Sequence, residues 1–133
     1  MGIGTGNTTR RTMGMPAARM SVLEEHVRVC RDLFDNKVTD YSEGDRHRKI
    51  KFLHPDLGFI NVADRIPIYI SASGPKVAQM AGRIADGVIL FGAVNPELVK
   101  WMVGHVRKGA EEAGRNPDDI YVLSMTAFYL TQS

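Results

Sequence analysis

Cysteine is nearly absent: Cys30 is the only one in 133 residues. No internal disulfide can form, and the chain fits a reducing compartment. Long apolar runs are missing too. None approaches the ~20 residues that a membrane-spanning helix needs. The opening MGIGTGNTTRR lacks the apolar stretch of a secretory signal, so a cytoplasmic location is expected. Excess charge of one sign is slight. The formal net charge of +2 does not point to nucleic acid or an anionic membrane as partner. The four histidines, His26, His47, His54 and His105, show no metal-ligand spacing and have no second cysteine to join, so no metal site is expected. No GxSxG elbow occurs, and Ser71 and Ser73 have no base partner visible in sequence, so acyl transfer is unsupported. Internal repeats and low-complexity segments are also lacking.

What is present is an ordinary globular composition, 44% hydrophobic, sufficient for one core. Gly2 to Asn7 reads as a strand end entering a glycine-rich loop. Met20, Leu23, Val27, Cys30 and Phe34 make one apolar stripe on a helix of about four turns, with Cys30 as a small buried hydrophobe. Asn36 to Arg65 reads as a long surface connection with short strands at Lys49–Leu53 and Phe59–Asn61 and a solvated basic hairpin at Arg46–Lys51. Ile66–Ser71 is then a strand and Pro75–Ala85 a helix, with Val77, Met80, Ala81 and Ile84 on one face. Asp86-Gly87 ends it, with Gly87 expected in the left-handed position. GVILF, Gly87–Phe91, is expected to be a strand buried on both faces. Asn95 caps and Pro96 opens a helix running to about Ala113, in which Trp101 and Met102 are expected to pack on the sheet with Leu98 and Val106. Asp118-Asp119 reads as a surface turn. Ile120–Leu130 is a final β-rich run. Such alternation implies an α/β fold with a parallel sheet and crossover helices.

In such folds ligands sit at the carboxyl ends of the strands. Three small, polar loops fall there: Gly4 to Asn7, Ser71 to Gly74, and Gly92 to Asn95. Ser73-Gly74 precedes a helix start, whose free N–H groups and dipole suit an anion. The Ser71 and Ser73 hydroxyls can donate to phosphate, and Lys76 can add charge. The alternative is that small residues only permit tight turns. No Walker loop and no GxGxxG occur.

Three segments carry a family resemblance: GIGTGNTTRRTMGMPAARM, IPIYISASGPKVAQMAGRIADGVIL, and FGAVNPELVKWMVGHVRKGAEEAGRNPDDI. Together they resemble the bacterial-luciferase-like flavin and deazaflavin oxidoreductases, most nearly the coenzyme F420-dependent branch that includes methylenetetrahydromethanopterin reductase. The resemblance implies a TIM (β/α)8 barrel and an oxidoreductase or monooxygenase using F420, or alternatively FMN, on a small organic substrate. It implies cofactor phosphate on Ser71, Ala72, Ser73 and Gly74 and on Gly92, Ala93 and Val94, and the ring beside Gly6 and Asn7, with Thr8, Thr9 and Arg10 at the same mouth. Some F420 enzymes of the family have a proton-donating glutamate after Gly-Thr-Gly. Asn7 stands there in this chain, so no catalytic residue is carried over.

A complete barrel takes about 250 residues. The resemblance therefore makes residues 1–133 one incomplete domain, about half a barrel, beginning within the fourth strand. An incomplete sheet exposes edges that invite pairing, so a homo-oligomer or a complementing chain is expected. Two other functions stay open: an inactive half-barrel that keeps only a phosphate, cofactor or oligomerisation role, and an unrelated phosphate-binding α/β domain.

Overall fold

The computed structural model describes residues 1–92, 95–126 and 130. Four parallel strands form one sheet in the order β1 (Gly2–Ile3), β4 (Tyr69–Ala72), β5 (Gly87–Phe91), β6 (Tyr121–Met125). The register sets Tyr69 opposite Gly87 and Gly87 opposite Tyr121, and Ala72 opposite Leu90 and Leu90 opposite Ser124. Helices α2 (Met20–Phe34), α3 (Pro75–Ile84) and α4 (Pro96–Glu112) cover one face. Strand side chains alternate between faces. Accordingly Ile68, Ile70, Ala72, Val88 and Leu90 are fully buried beneath the helices, with Met80, Met102 and Val106 packed on them.

Among the described residues, the other face carries no helix. Tyr69 and Ile89 are half-buried there, while Phe91, Tyr121, Leu123 and Met125 are exposed. Among the described residues β5 is thus covered on one face rather than two, with Ile89 half-buried and Phe91 exposed.

The stripe on α2 works as its spacing dictates. Leu23 and Val27 are buried, and Met20, Cys30 and Phe34 pack half-buried against the core. Burial pushes the Cys30 thiol pKa up. At the start of α4 the Asn95 side chain accepts the Leu98 N–H at 2.8 Å and Pro96 fills the first turn. Gly114, at φ +66, follows that helix in the left-handed conformation.

Several expectations are corrected. Gly87 is not left-handed; it is the first residue of β5. Its smallness serves packing, since a Cβ would stand 2.4 Å from the Tyr69 ring. The basic cluster at Arg46–Lys51 does lie in an exposed hairpin, formed by β2 (Thr39–Glu43) and β3 (Arg46–Ile50) with Gly44 at φ +60 in its turn, but the strands expected at Lys49–Leu53 and Phe59–Asn61 do not form as such. Pro55–Leu57 is a 3-10 turn, and Phe59 is 84% exposed. Arg28 binds the hairpin to α2, donating to Glu25, Asp32, the Thr39 hydroxyl and the Asp40 carbonyl. A short helix unforeseen in the sequence, α1 (Asn7–Thr12), follows the first loop. Trp101 is 51% exposed on the outer side of α4, its ring edge-on to His105, whereas Met102 one position later is buried; the helical rotation sends only Met102 inward. No helix among the described residues is long and apolar enough to cross a membrane.

Candidate functional site

The carboxyl ends of β1, β4 and β5 meet at one end of the sheet. A cavity of about 420 Å³ opens there, lined by residues 4–9, Ser71, Ser73 and Phe91. Its volume suits a small-molecule ligand. Two smaller cavities, of about 280 and 290 Å³, lie against α4 and the start of β6 and between α2 and Ile84. Neither touches the strand carboxyl ends.

Local chemistry builds each wall. Gly4 lets the first loop pass close to β4, since a Cβ on it would stand 3.3 Å from the Ser71 Cβ. Gly6, at φ +66, adopts the left-handed conformation that a side chain resists and turns the chain into α1. The loop is then closed by Ala18 N–H to Thr5 O at 2.9 Å and by Arg10 Nε to Pro16 O at 2.6 Å. Asn7, Thr8 and Thr9 are left exposed along the mouth.

On the second wall, Ser71 points away from the helices because Ile70 and Ala72 take the buried face. Ser73 is exposed beyond the strand end, just before Gly74 caps α3. Pro75 has no N–H, and the Ala78 N–H donates to Gly74 O at 3.0 Å. The N–H groups of Lys76 and Val77 therefore have no acceptor among the described residues, as the first turn of a helix leaves them. Unpaired amides and a positive helix end are what an anion favours; Ser71 and Ser73 line the cavity, whereas residues 74–77 are not among its lining.

The structure brings Gly6, Asn7, Ser71 and Ser73 to one cavity, together with Thr8 and Thr9. Arg10 lies beneath the loop, its side chain against Gly6. Ala72 is fully buried on the helix side, and Gly74 sits at the adjacent helix start. Gly92 has φ +78 and its N–H donates to Met125 O at 3.2 Å, so that amide is occupied. Ala93 and Val94 lie outside the described residues. Sequence reasoning missed Phe91 as a site residue; its signal was the bulky last position of an apolar strand directly before a small loop. None of the cavity-lining residues is an acid, histidine, cysteine or lysine.

Parallel strands with crossover helices on one face and a ligand-sized cavity at their carboxyl ends are the parts of a (β/α)8 barrel, and the chain forms one portion of such a barrel. The structure of a coenzyme F420-dependent tetrahydromethanopterin reductase from Methanopyrus kandleri superposes with a TM-score of 0.69 at 25% identity, over 94% of this chain and 40% of that one. The model of the luciferase-like monooxygenase family matches residues 1–133, and the chain belongs to that family. It is 33% identical over 129 residues to an F420-dependent glucose-6-phosphate dehydrogenase from Nakamurella multipartita, covering 92% of this chain and 37% of that protein. It is 38% identical over 104 residues to an enzyme of the same name from Mycolicibacterium gilvum, covering 77% of this chain and 29% of that protein. The chain thus spans 29–40% of the length of these proteins.

Proposed function

We propose that this chain is the cofactor-binding portion of an F420-dependent oxidoreductase acting on a small organic substrate. The observation that supports this reading is the cavity at the strand carboxyl ends, lined by the glycine-threonine loop, Ser71, Ser73 and Phe91. F420 is preferred over FMN because the relatives at 33% and 38% identity are named for F420.

Ser71 and Ser73 would donate hydroxyl hydrogens to the phosphate, and the Lys76 and Val77 amides would add theirs. Gly74 leaves open space above this cradle, with no atom within 4 Å of where its Cβ would be. Asn7 and Thr8 would hydrogen-bond the polar edge of the ring or the substrate. The bound deazaflavin supplies hydride transfer; the chain supplies orientation and anchoring. Among the described residues no titratable side chain lines the cavity. A donor, where the reaction needs one, comes from substrate, water or elsewhere in the assembled barrel.

The four-strand sheet among the described residues, only part of a barrel, favours a second reading, that the 133-residue polypeptide binds cofactor but does not turn over. Its two uncovered sheet edges suit a second copy or a complementing chain that completes one domain. Fluorescence titration of the folded chain with F420 and with FMN tests the first point. Saturable binding of F420 is expected. No binding of either by a folded protein would overturn the cofactor reading, and hydride transfer by the chain alone would overturn the binding-only one.

A further inference from the structure

Among the described residues that line the cavity, Phe91 is the one large apolar side chain and the others are small and polar. It ends β5, and strand alternation separates it from Val88 and Leu90, which are fully buried on the helix side. Phe91 itself is 59% exposed. The fold positions it firmly all the same. Gly92 turns directly after it with φ +78, and the Gly92 N–H donates to Met125 O, tying the strand end to β6. Among the described residues, its neighbours on that face do not cover it. Ser71 and Ser73 are too short, and Met125, its partner in the register, is itself exposed. A phosphate alone gives no reason for a phenyl ring beside Ser71 and Ser73. A ligand with a flat apolar ring does, because aromatic faces and edges attract one another beyond the area they bury.

We propose that Phe91 is the ring wall of this site: its phenyl group packs against the tricyclic ring of the cofactor while Ser71 and Ser73 hold the phosphate. The proposal rests on the cofactor reading above and divides the cavity into a ring half and an anion half. It makes Phe91 a residue that selects for a flat ring, touching cofactor but moving no proton.

The test titrates the wild-type chain and Phe91→Ala, Phe91→Leu and Phe91→Trp with F420, FMN, riboflavin (the ring without phosphate) and inorganic phosphate, with far-UV circular dichroism and melting as fold controls. Phe91→Ala and Phe91→Leu should weaken F420, FMN and riboflavin about tenfold, the size of a lost aromatic stack, and leave inorganic phosphate within about twofold. Phe91→Trp should restore ring binding. Leucine separates stacking from mere apolar filling, since it keeps area but not the flat ring. F420 binding that is unchanged in Phe91→Ala, or retained in Phe91→Leu, would overturn the ring-wall role while leaving the cofactor reading standing. Failure of the folded wild type to bind F420, FMN and riboflavin would overturn both.

Discussion

Gly109 of α4 lies so close to Gln79 of α3 that a Cβ on Gly109 would stand 1.8 Å from the Gln79 carbonyl oxygen. The relationship is reciprocal. A Cβ on Gly82 would stand 2.0 Å from the Val106 carbonyl oxygen, one turn along the same crossing. Both glycines are buried. Backbone touches backbone here, and α3 and α4 together form the roof over β4 and β5. Gly82→Ala and Gly109→Ala should each cost about 3 kcal/mol, the upper range for overpacking, since the obstacle is backbone and cannot rotate away. Gly104 of α4 meets nothing within 4 Å, so Gly104→Ala should stabilise by about 1 kcal/mol through helix propensity. Urea unfolding followed by circular dichroism checks all three. Equal effects at the three sites would refute the close-crossing account.

Asp86 organises the opposite end of the sheet from the cavity. One of its oxygens accepts the Ile68 N–H at 2.8 Å and Arg31 at 2.6 Å, and the other accepts Arg65. Burial pushes its carboxyl pKa up, but the Ile68 amide and the Arg31 and Arg65 guanidinium groups outweigh this and hold it below the ordinary value. A carboxyl with a depressed folded pKa adds stability that is present above its unfolded pKa of about 3.9 and is lost as pH falls through the folded value. Unfolding free energy should therefore fall with acidification below about pH 4. Asp86→Asn should lose about 2 kcal/mol at pH 7, the scale of hydrogen bonds to a charged group, and should flatten that acid limb. An acid limb unchanged in Asp86→Asn would assign it to other carboxylates.

The helices and central strands were legible because their signals are local. The α2 stripe, the Asn95-Pro96 start and the GVILF run each follow from residues within one element. The features misread depend on distant partners. Gly87 is small because Tyr69 and Tyr121 crowd it from neighbouring strands, which no window around Asp86-Gly87 reveals. Arg115 donates to the Gly82 and Ala85 carbonyls at 2.8 and 2.7 Å, satisfying the end of α3 from 30 residues or more away. The basic hairpin expected at Arg46–Lys51 was legible only in its second strand, Arg46–Ile50; its first strand, Thr39–Glu43, lacks the usual apolar alternation and reads as connection. At the site, small polar loops marked the walls, whereas Phe91 was hidden inside a run that looked wholly like core.

Gly74 provides a direct test of the phosphate cradle. Its backbone is extended, at φ −156 and ψ 163, a conformation open to any residue, and not the positive φ that would demand glycine. Its Cβ would meet no protein atom within 4 Å. Gly74→Val should therefore leave the melting temperature nearly unchanged while placing a branched side chain over the cradle. F420 affinity should fall at least tenfold, and inorganic phosphate should be lost in parallel. Undiminished F420 binding by the folded variant would remove the phosphate from this helix start.

The helix-free face bears on the proposed assembly. Tyr121, Leu123 and Met125 stand exposed on β6, beside Phe91 on β5, and β1 and β6 are the edges of the sheet. Edge-to-edge pairing alone would leave that apolar face in water, whereas closure of two four-stranded sheets around it would bury face and edges together. For the 133-residue polypeptide, sedimentation should report a mass near twice the 14.7 kDa of one chain. Stable association needs roughly 1,000 Å² or more of buried surface. Leu123→Glu and Met125→Glu should then shift the equilibrium to monomer by placing charge in the closed interior, with little effect on the helix-covered core. A wild-type chain that stays monomeric at high concentration, with flat light scattering, would exclude a second copy as what covers this face.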